Sequence, residues 1–204
     1  MSHLEYLVAL LSIIVGLGLT DLAQSLRELV RPRRTVDWHW LPLVWAAFTF
    51  LVAVQVWWNS FGLLQEATAE NFLSLLITFL LLYLSCAFAL PDPDWEQPRA
   101  ASGSVGGENG EWEPLDLEAF YFSEAHRRWY FGVLLAFIVT AEVFFQAIQM
   151  LEGDGANLRS LFLSGMLGVG LVPLILTDRW WVHAPISVLS FLFMALATVE
   201  TILL

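Results

Sequence analysis

In the segment "RRWYFGVLLAFIVTAEVFFQAIQM", Arg127 to Met150, one acid, Glu142, sits near the middle of an apolar-dominated run. Gln146 and Gln149 follow it at spacings that place all three on one face of a helix. An ionised acid facing lipid at mid-bilayer costs several kcal/mol, so such a carboxylate must pair, bind a cation or hold a proton. Two chemistries follow. In one, Glu142 is a proton or cation site and the two amides continue a polar track outward. In the other, it is a protonated acid hydrogen-bonded to a neighbouring helix, a packing device that moves nothing. No Lys or Arg lies at comparable depth, so a buried ion pair is not expected.

Candidate partners lie on other hydrophobic runs. Gln55 and Asn59 share a face on the second run, and Gln55 matches Glu142 best in depth. Glu200, near the C-terminus, falls closer to a membrane boundary. Asp21 follows Thr20 near the end of the first run, where an interfacial carboxylate close to Arg27 is the cheaper reading than a cation site.

The elements that must position these groups are membrane helices. The chain has 204 residues, 58% of them hydrophobic and 14% charged, against roughly 25% charged in a soluble domain. A helix crosses the bilayer with about 20 largely apolar residues. Six stretches qualify: Leu4 to Ala23, Leu41 to Leu64, Phe72 to Leu90, Tyr130 to Met150, Leu158 to Leu176 and Ala184 to Leu203. The expected fold is all-α, a single polytopic domain forming a six-transmembrane-helix bundle. Contiguous apolar runs in place of ten-residue alternation argue against an outer-membrane barrel. The first run lacks a basic flank before it and a small-residue cleavage pattern, so it reads as a retained helix.

The chain has no lysine, and its nine arginines are unevenly placed. Arg27, Arg31, Arg33, Arg34, Arg99, Arg127, Arg128 and Arg179 fall in the loops after helices 1, 3 and 5, and Arg159 alone falls on the other side. The positive-inside rule then puts those loops in the cytoplasm and both termini outside, in a bacterial-type inner (plasma) membrane. Trp38, Trp40, Trp57, Trp58, Trp129, Trp180 and Trp181 flank the runs as interfacial anchors. Trp45 lies inside the second run, where its N–H needs a partner.

Residues 91–128 form an acidic cytoplasmic loop. Its first half is rich in Pro, Gly and Ser. Its second half, "PLDLEAFYFSEAHRRWY", can start an interfacial helix near Pro114 to Asp116, with Leu115, Leu117, Phe120, Tyr121 and Phe122 against lipid or the bundle. Glu124 and Arg128 form an i,i+4 pair. A net charge of −11 argues against nucleic acid as a partner. Membrane lipids, a second copy or another membrane protein fit the composition better.

Small residues mark packing surfaces. Ser12, Gly16 and Thr20 form a small-xxx-small series on helix 1, and Gly165, Gly168 and Gly170 precede Pro173 on helix 5, a composition suited to close contact or a kink. His3, His39, His126 and His183 show no ligand spacing, and the lone Cys86 reads as a small buried hydrophobe. No pattern calls for a metal, a cofactor or an enzymatic reaction. With most residues explained by packing, the sequence favours a structural or accessory membrane subunit acting through protein association. The alternative is a small transporter or channel for a proton-coupled or cationic solute, with Glu142 as its intramembrane site.

Overall fold

The computed structural model describes residues 3–30, 35–65, 69–92, 115–152 and 157–203. Along the chain these form α1 (His3–Val30), the strand β1 (Val36–Asp37), α2 (Trp40–Gln65), α3 (Ala69–Phe88), β2 (Leu115–Asp116), α4 (Leu117–Phe122), α5 (Glu124–Glu152), α6 (Leu158–Leu176) and α7 (Trp180–Leu203). Among the described residues, five helices, α1, α2, α5, α6 and α7, are long and apolar enough to cross a membrane, and α3 contributes a shorter apolar helix, Phe72–Phe88. Their outward faces are apolar too: Leu176, Leu189 and Leu196 are 78%, 67% and 71% exposed. Contact with water would cost such surface about 25 cal/mol per Å², a cost that acyl chains remove. The chain is an all-α, polytopic membrane protein.

Five helices close into a ring. α3 packs on α5, α5 on α6, α6 on α7, α7 on α2 and α2 on α3. α1 lies outside the ring against α2 and α3, burying Leu11, Val15 and Leu22 while Ile13 and Leu17 stay exposed. It continues as helix to Val30, past the expected end at Ala23. Its tightest approach is at Gly18, where an added Cβ would stand 3.3 Å from the Cβ and Sγ of Cys86 and 3.4 Å from the Cα of Tyr83.

One end of the ring is filled by chain that the sequence places along the membrane surface. Val36 pairs with Leu115 and Asp37 with Asp116 in a short parallel ladder, and the Leu115 N–H donates to the Thr35 carbonyl at 2.8 Å. Asp116 then caps α4, its carboxylate accepting from the backbone N–H of Glu118 and Ala119 at 2.8 and 3.0 Å. This sets α4 going inward, with Leu117, Phe120 and Tyr121 buried. After Ser123 the chain turns into α5, which starts at Glu124 and takes in Arg127 and Arg128 before the apolar run begins. The Glu124–Arg128 pair closes at 2.6 Å on that first stretch. Trp38, Trp40, Trp58, Trp129, Trp180 and Trp181 are exposed at or near helix ends, as rings that seek the headgroup zone should be.

α6 runs unbroken from Leu158 to Leu176 despite Pro173, which falls near its end, where the Thr177 N–H still reaches the Pro173 carbonyl at 3.0 Å. The helix is therefore not interrupted, and two of its glycines lie against neighbouring helices. An added Cβ would meet Leu135 of α5 at Gly168 (3.4 Å) and Ile186 of α7 at Gly170 (3.9 Å), whereas Gly165 has open space over it.

Candidate functional site

The ring of α2, α3, α5, α6 and α7 encloses a cavity of about 860 Å³. α2 and α5 both line it, Gln55 and Asn59 from one side and Glu142 and Gln149 from the other. The rest of the wall is mostly apolar, with Phe48, Phe79, Phe137, Phe144, Phe145 and Phe193 supplying its aromatic part. Asn59, Asn157 and Arg159, which also line it, are exposed, so the cavity reaches the surface at the α5–α6 end of the bundle.

Glu142 is half-buried in the wall and accepts hydrogen bonds from two side chains. Gln146 Nε2 donates to Oε1 at 2.6 Å, and the Ser160 hydroxyl is shared between Oε1 and Oε2 at 3.2 and 3.1 Å. The partner is thus a serine of α6, not Gln55. Gln55 donates its Nε2 to the Thr201 hydroxyl at 3.3 Å, and its Oε1 is buried with no partner.

Gln146 also closes the turn between α5 and α6. Its Nε2 donates to the Asn157 carbonyl at 3.1 Å, and its Oε1 accepts from the Asn157 N–H at 2.9 Å. Asn157 in turn caps α6, its side-chain oxygen accepting from the Ser160 N–H at 3.1 Å. The cap residue fixes the first turn of α6, and that turn aims Ser160 at the carboxylate. An Asn just before an apolar run is a legible cap signal, so the placement of Ser160 near the start of α6 could be inferred; its pairing with Glu142 could not.

The other singled-out residues fall apart from this cluster. Glu200 is exposed on α7. Asp21 pairs with the hydroxyl of Tyr83 on α3, while Arg27 is bonded to Glu28 at 3.0 Å. Ser12 accepts from the Trp57 indole at 3.2 Å, and Thr20 is exposed and turns its hydroxyl back on the Gly16 carbonyl at 2.7 Å. Gly16 has nothing within 4 Å of an added Cβ, so the close contact of α1 belongs to Gly18, out of phase with the small-xxx-small series.

Beyond the cavity, toward α4, lies a buried polar network that spacing did not reveal. Trp45 is 1% exposed and Tyr121 and His183 are fully buried. The Trp45 indole N–H donates to Ser187 Oγ at 2.8 Å and lies 3.1 Å from Tyr121 Oη. His183 Nε2 is 2.8 Å from the Thr177 carbonyl, an oxygen that can only accept, so Nε2 carries the proton and Nδ1 is the acceptor. Tyr121 therefore donates its O–H to Nδ1, at 2.9 Å. Burial pushes the Tyr121 phenol above its ordinary range, against the opposing pull of the Ser187 and Trp45 hydrogen bonds and the Arg127 charge, and keeps it a donor. Thr49 donates to the Trp45 carbonyl at 2.9 Å and meets the Tyr130 hydroxyl at 2.8 Å.

Rings fill the space around these bonds. Phe131 packs edge-on against Trp45 and Tyr121, and His126 stacks on Tyr130 with an interplanar angle of 5°. Phe122 stands between His39 and His183 at 6.4 and 5.2 Å. The three histidines of this end thus meet as rings around α4, and no group of three or more His, Cys, Asp or Glu among the described residues is placed to hold a metal. Phe48 links the two regions, packing on Trp45 at 5.1 Å and lining the cavity. One end of the ring is therefore sealed by α4 and its partners, while the other opens beside Arg159.

Comparison with protein-family models, curated proteins and solved structures returns no match for this chain.

Proposed function

We propose that this protein is a small multi-pass membrane protein that takes a solute into the cavity of its helix ring, as a transporter or solute-binding carrier does, with Glu142 as the intramembrane site. The observation that carries the reading is the cavity, whose volume of about 860 Å³ falls within the range of about 300–1,000 Å³ typical of small-molecule sites. A bundle that served packing alone would gain by filling such a space, because each missing contact forfeits dispersion and burial.

The asymmetry of the ring supports the same reading. In this reading α3 crosses the membrane with the five longer described helices, and the arginine bias puts the α4 seal in the cytoplasm and the mouth beside Arg159 outside. A bacterial-type inner membrane fits that arrangement. The solute then has access from the outer side, while the Trp45–Tyr121–His183 network closes the inner one.

The internal bonding of Glu142 favours a second reading, the accessory subunit that acts through association with a second copy or another membrane protein. Gln146 and Ser160 satisfy the carboxylate without any solute. The two readings separate on one comparison. Wild type and Ala141→Trp, which narrows the cavity from α5, are purified in mild detergent and their organic extracts compared by mass spectrometry. A small molecule held in stoichiometric amount by the wild type and lost from the variant supports the solute site. Identical extracts, with the variant folded and more heat-stable, overturn it in favour of the accessory role.

A further inference from the structure

We infer that the solute is a lipophilic monovalent cation, an ammonium or phosphonium group carried on a bulky apolar body, with Glu142 as its counter-charge; the inference rests on the cavity being a solute site. The first observation is the acidic side chain set in the wall. Gln146 and Ser160 are neutral donors, so they orient the carboxylate without cancelling it. The ion pairs found among the described residues, Arg27–Glu28 and Arg128–Glu124, lie away from the cavity. A carboxylate held by neutral groups in a low-dielectric wall attracts a cation far more strongly than it would in water.

The aromatic wall is the second observation. Phe48, Phe79, Phe137, Phe144, Phe145 and Phe193 surround the site, and the negative face of a benzene ring draws a poorly hydrated cation while its area buries the apolar body. Gln55 adds an acceptor, its Oε1 buried in that wall without a partner. A small hard ion is a poorer fit, since it needs several oxygen ligands in place of its water, and Glu142 is the one carboxylate among the described wall residues. An amphiphilic anion is disfavoured as well. Arg159 would attract it at the exposed mouth, but its apolar body could enter only by bringing its charge toward Glu142.

Tetraphenylphosphonium and tetraphenylborate, nearly equal in shape and opposite in charge, separate these cases. Binding of each is measured on the full chain in nanodiscs, with empty nanodiscs as the baseline for partition into lipid. The expected result is saturable binding of the phosphonium to wild type, weakened by about tenfold or more in Glu142→Gln, as for loss of one partner of a buried charge pair. Glu124→Gln, which removes an exposed carboxylate away from the cavity, should stay within about threefold of wild type, a difference of under 1 kcal/mol. Equal phosphonium binding by wild type and Glu142→Gln overturns the assignment. Saturable borate binding that is lost in Arg159→Gln also overturns the cationic class while leaving the cavity a solute site. If neither ion binds above the baseline and no molecule co-purifies with wild type alone, the solute reading itself falls and this inference falls with it.

Discussion

Gln146 grips the backbone of Asn157 with both ends of its amide, donating at 3.1 Å and accepting at 2.9 Å, while its second N–H holds Glu142 at 2.6 Å. One buried side chain thus fixes the α5–α6 turn and the carboxylate together. Replacing it with Leu removes three hydrogen bonds and leaves the Asn157 N–H and carbonyl to find other partners. A buried group left unpaired costs about 1–3 kcal/mol, so Gln146→Leu should lower the thermal midpoint in detergent by several degrees. Hydrogen exchange at the start of α6 should rise more than at α2. Unchanged protection there would show that the turn does not depend on Gln146.

Tyr121 makes a comparable prediction for the sealed end. In Tyr121→Phe the ring still fills its place, but His183 Nδ1 loses its donor and the Trp45 N–H keeps only Ser187. The expected loss is about 1–3 kcal/mol of stability, read as a shift in the unfolding transition followed by Trp fluorescence. The double variant, Tyr121→Phe with His183→Leu, should cost less than the sum of the two single changes, because the pair acts through one bond. Strict additivity would mean that the 2.9 Å contact contributes nothing.

These two clusters also show where sequence reading stops. The helices were legible because bilayer thickness sets their length and lipid their apolarity, and the Glu142–Gln146 face was legible because helical spacing alone puts those residues together. The need of Trp45 for a partner was legible too, since an indole N–H inside an apolar run must be satisfied. Which group satisfies it was not, because Tyr121 and Ser187 reach it from distant parts of the chain, and only the insertion of α4 brings Tyr121 inward. The apolar pattern of "LDLEAFYF" fits a lipid surface and a bundle interior equally well; the cap at Asp116 and the Val36–Leu115 pairing decide between them. The choice of Ser160 over Gln55 depends likewise on the rotation of α6 set by Asn157.

Gly18 and Gly16 give a paired test of how α1 is held. A side chain at Gly18 must displace Cys86 or the Tyr83 backbone, which stand 3.3 and 3.4 Å from its first carbon, whereas one at Gly16 meets open space. Gly18→Leu should therefore destabilise by about 1–3 kcal/mol through overpacking. Gly16→Leu should change stability by no more than about 0.5 kcal/mol, as expected of an unpacked surface position. Equal effects at the two sites, measured by thermal unfolding, would contradict the α1–α3 contact. A large effect at Gly16 alone would place a partner helix over that face.

Glu142 itself separates hydrogen bonding from charge. In Glu142→Gln the new amide oxygen can accept from Gln146, and its N–H₂ can donate to the Ser160 hydroxyl, so both partners stay satisfied. Stability should change by less than about 1 kcal/mol, since a neutral hydrogen bond replaces a charge-assisted one while burial of a charge is relieved. Glu142→Leu fills similar space but strands the Gln146 N–H and the Ser160 O–H, and should cost about 1–3 kcal/mol. Thermal unfolding of the two variants beside wild type checks the order. If Leu is tolerated as well as Gln, then Ser160 and Gln146 find other acceptors, and the acid is not what holds α5 to α6.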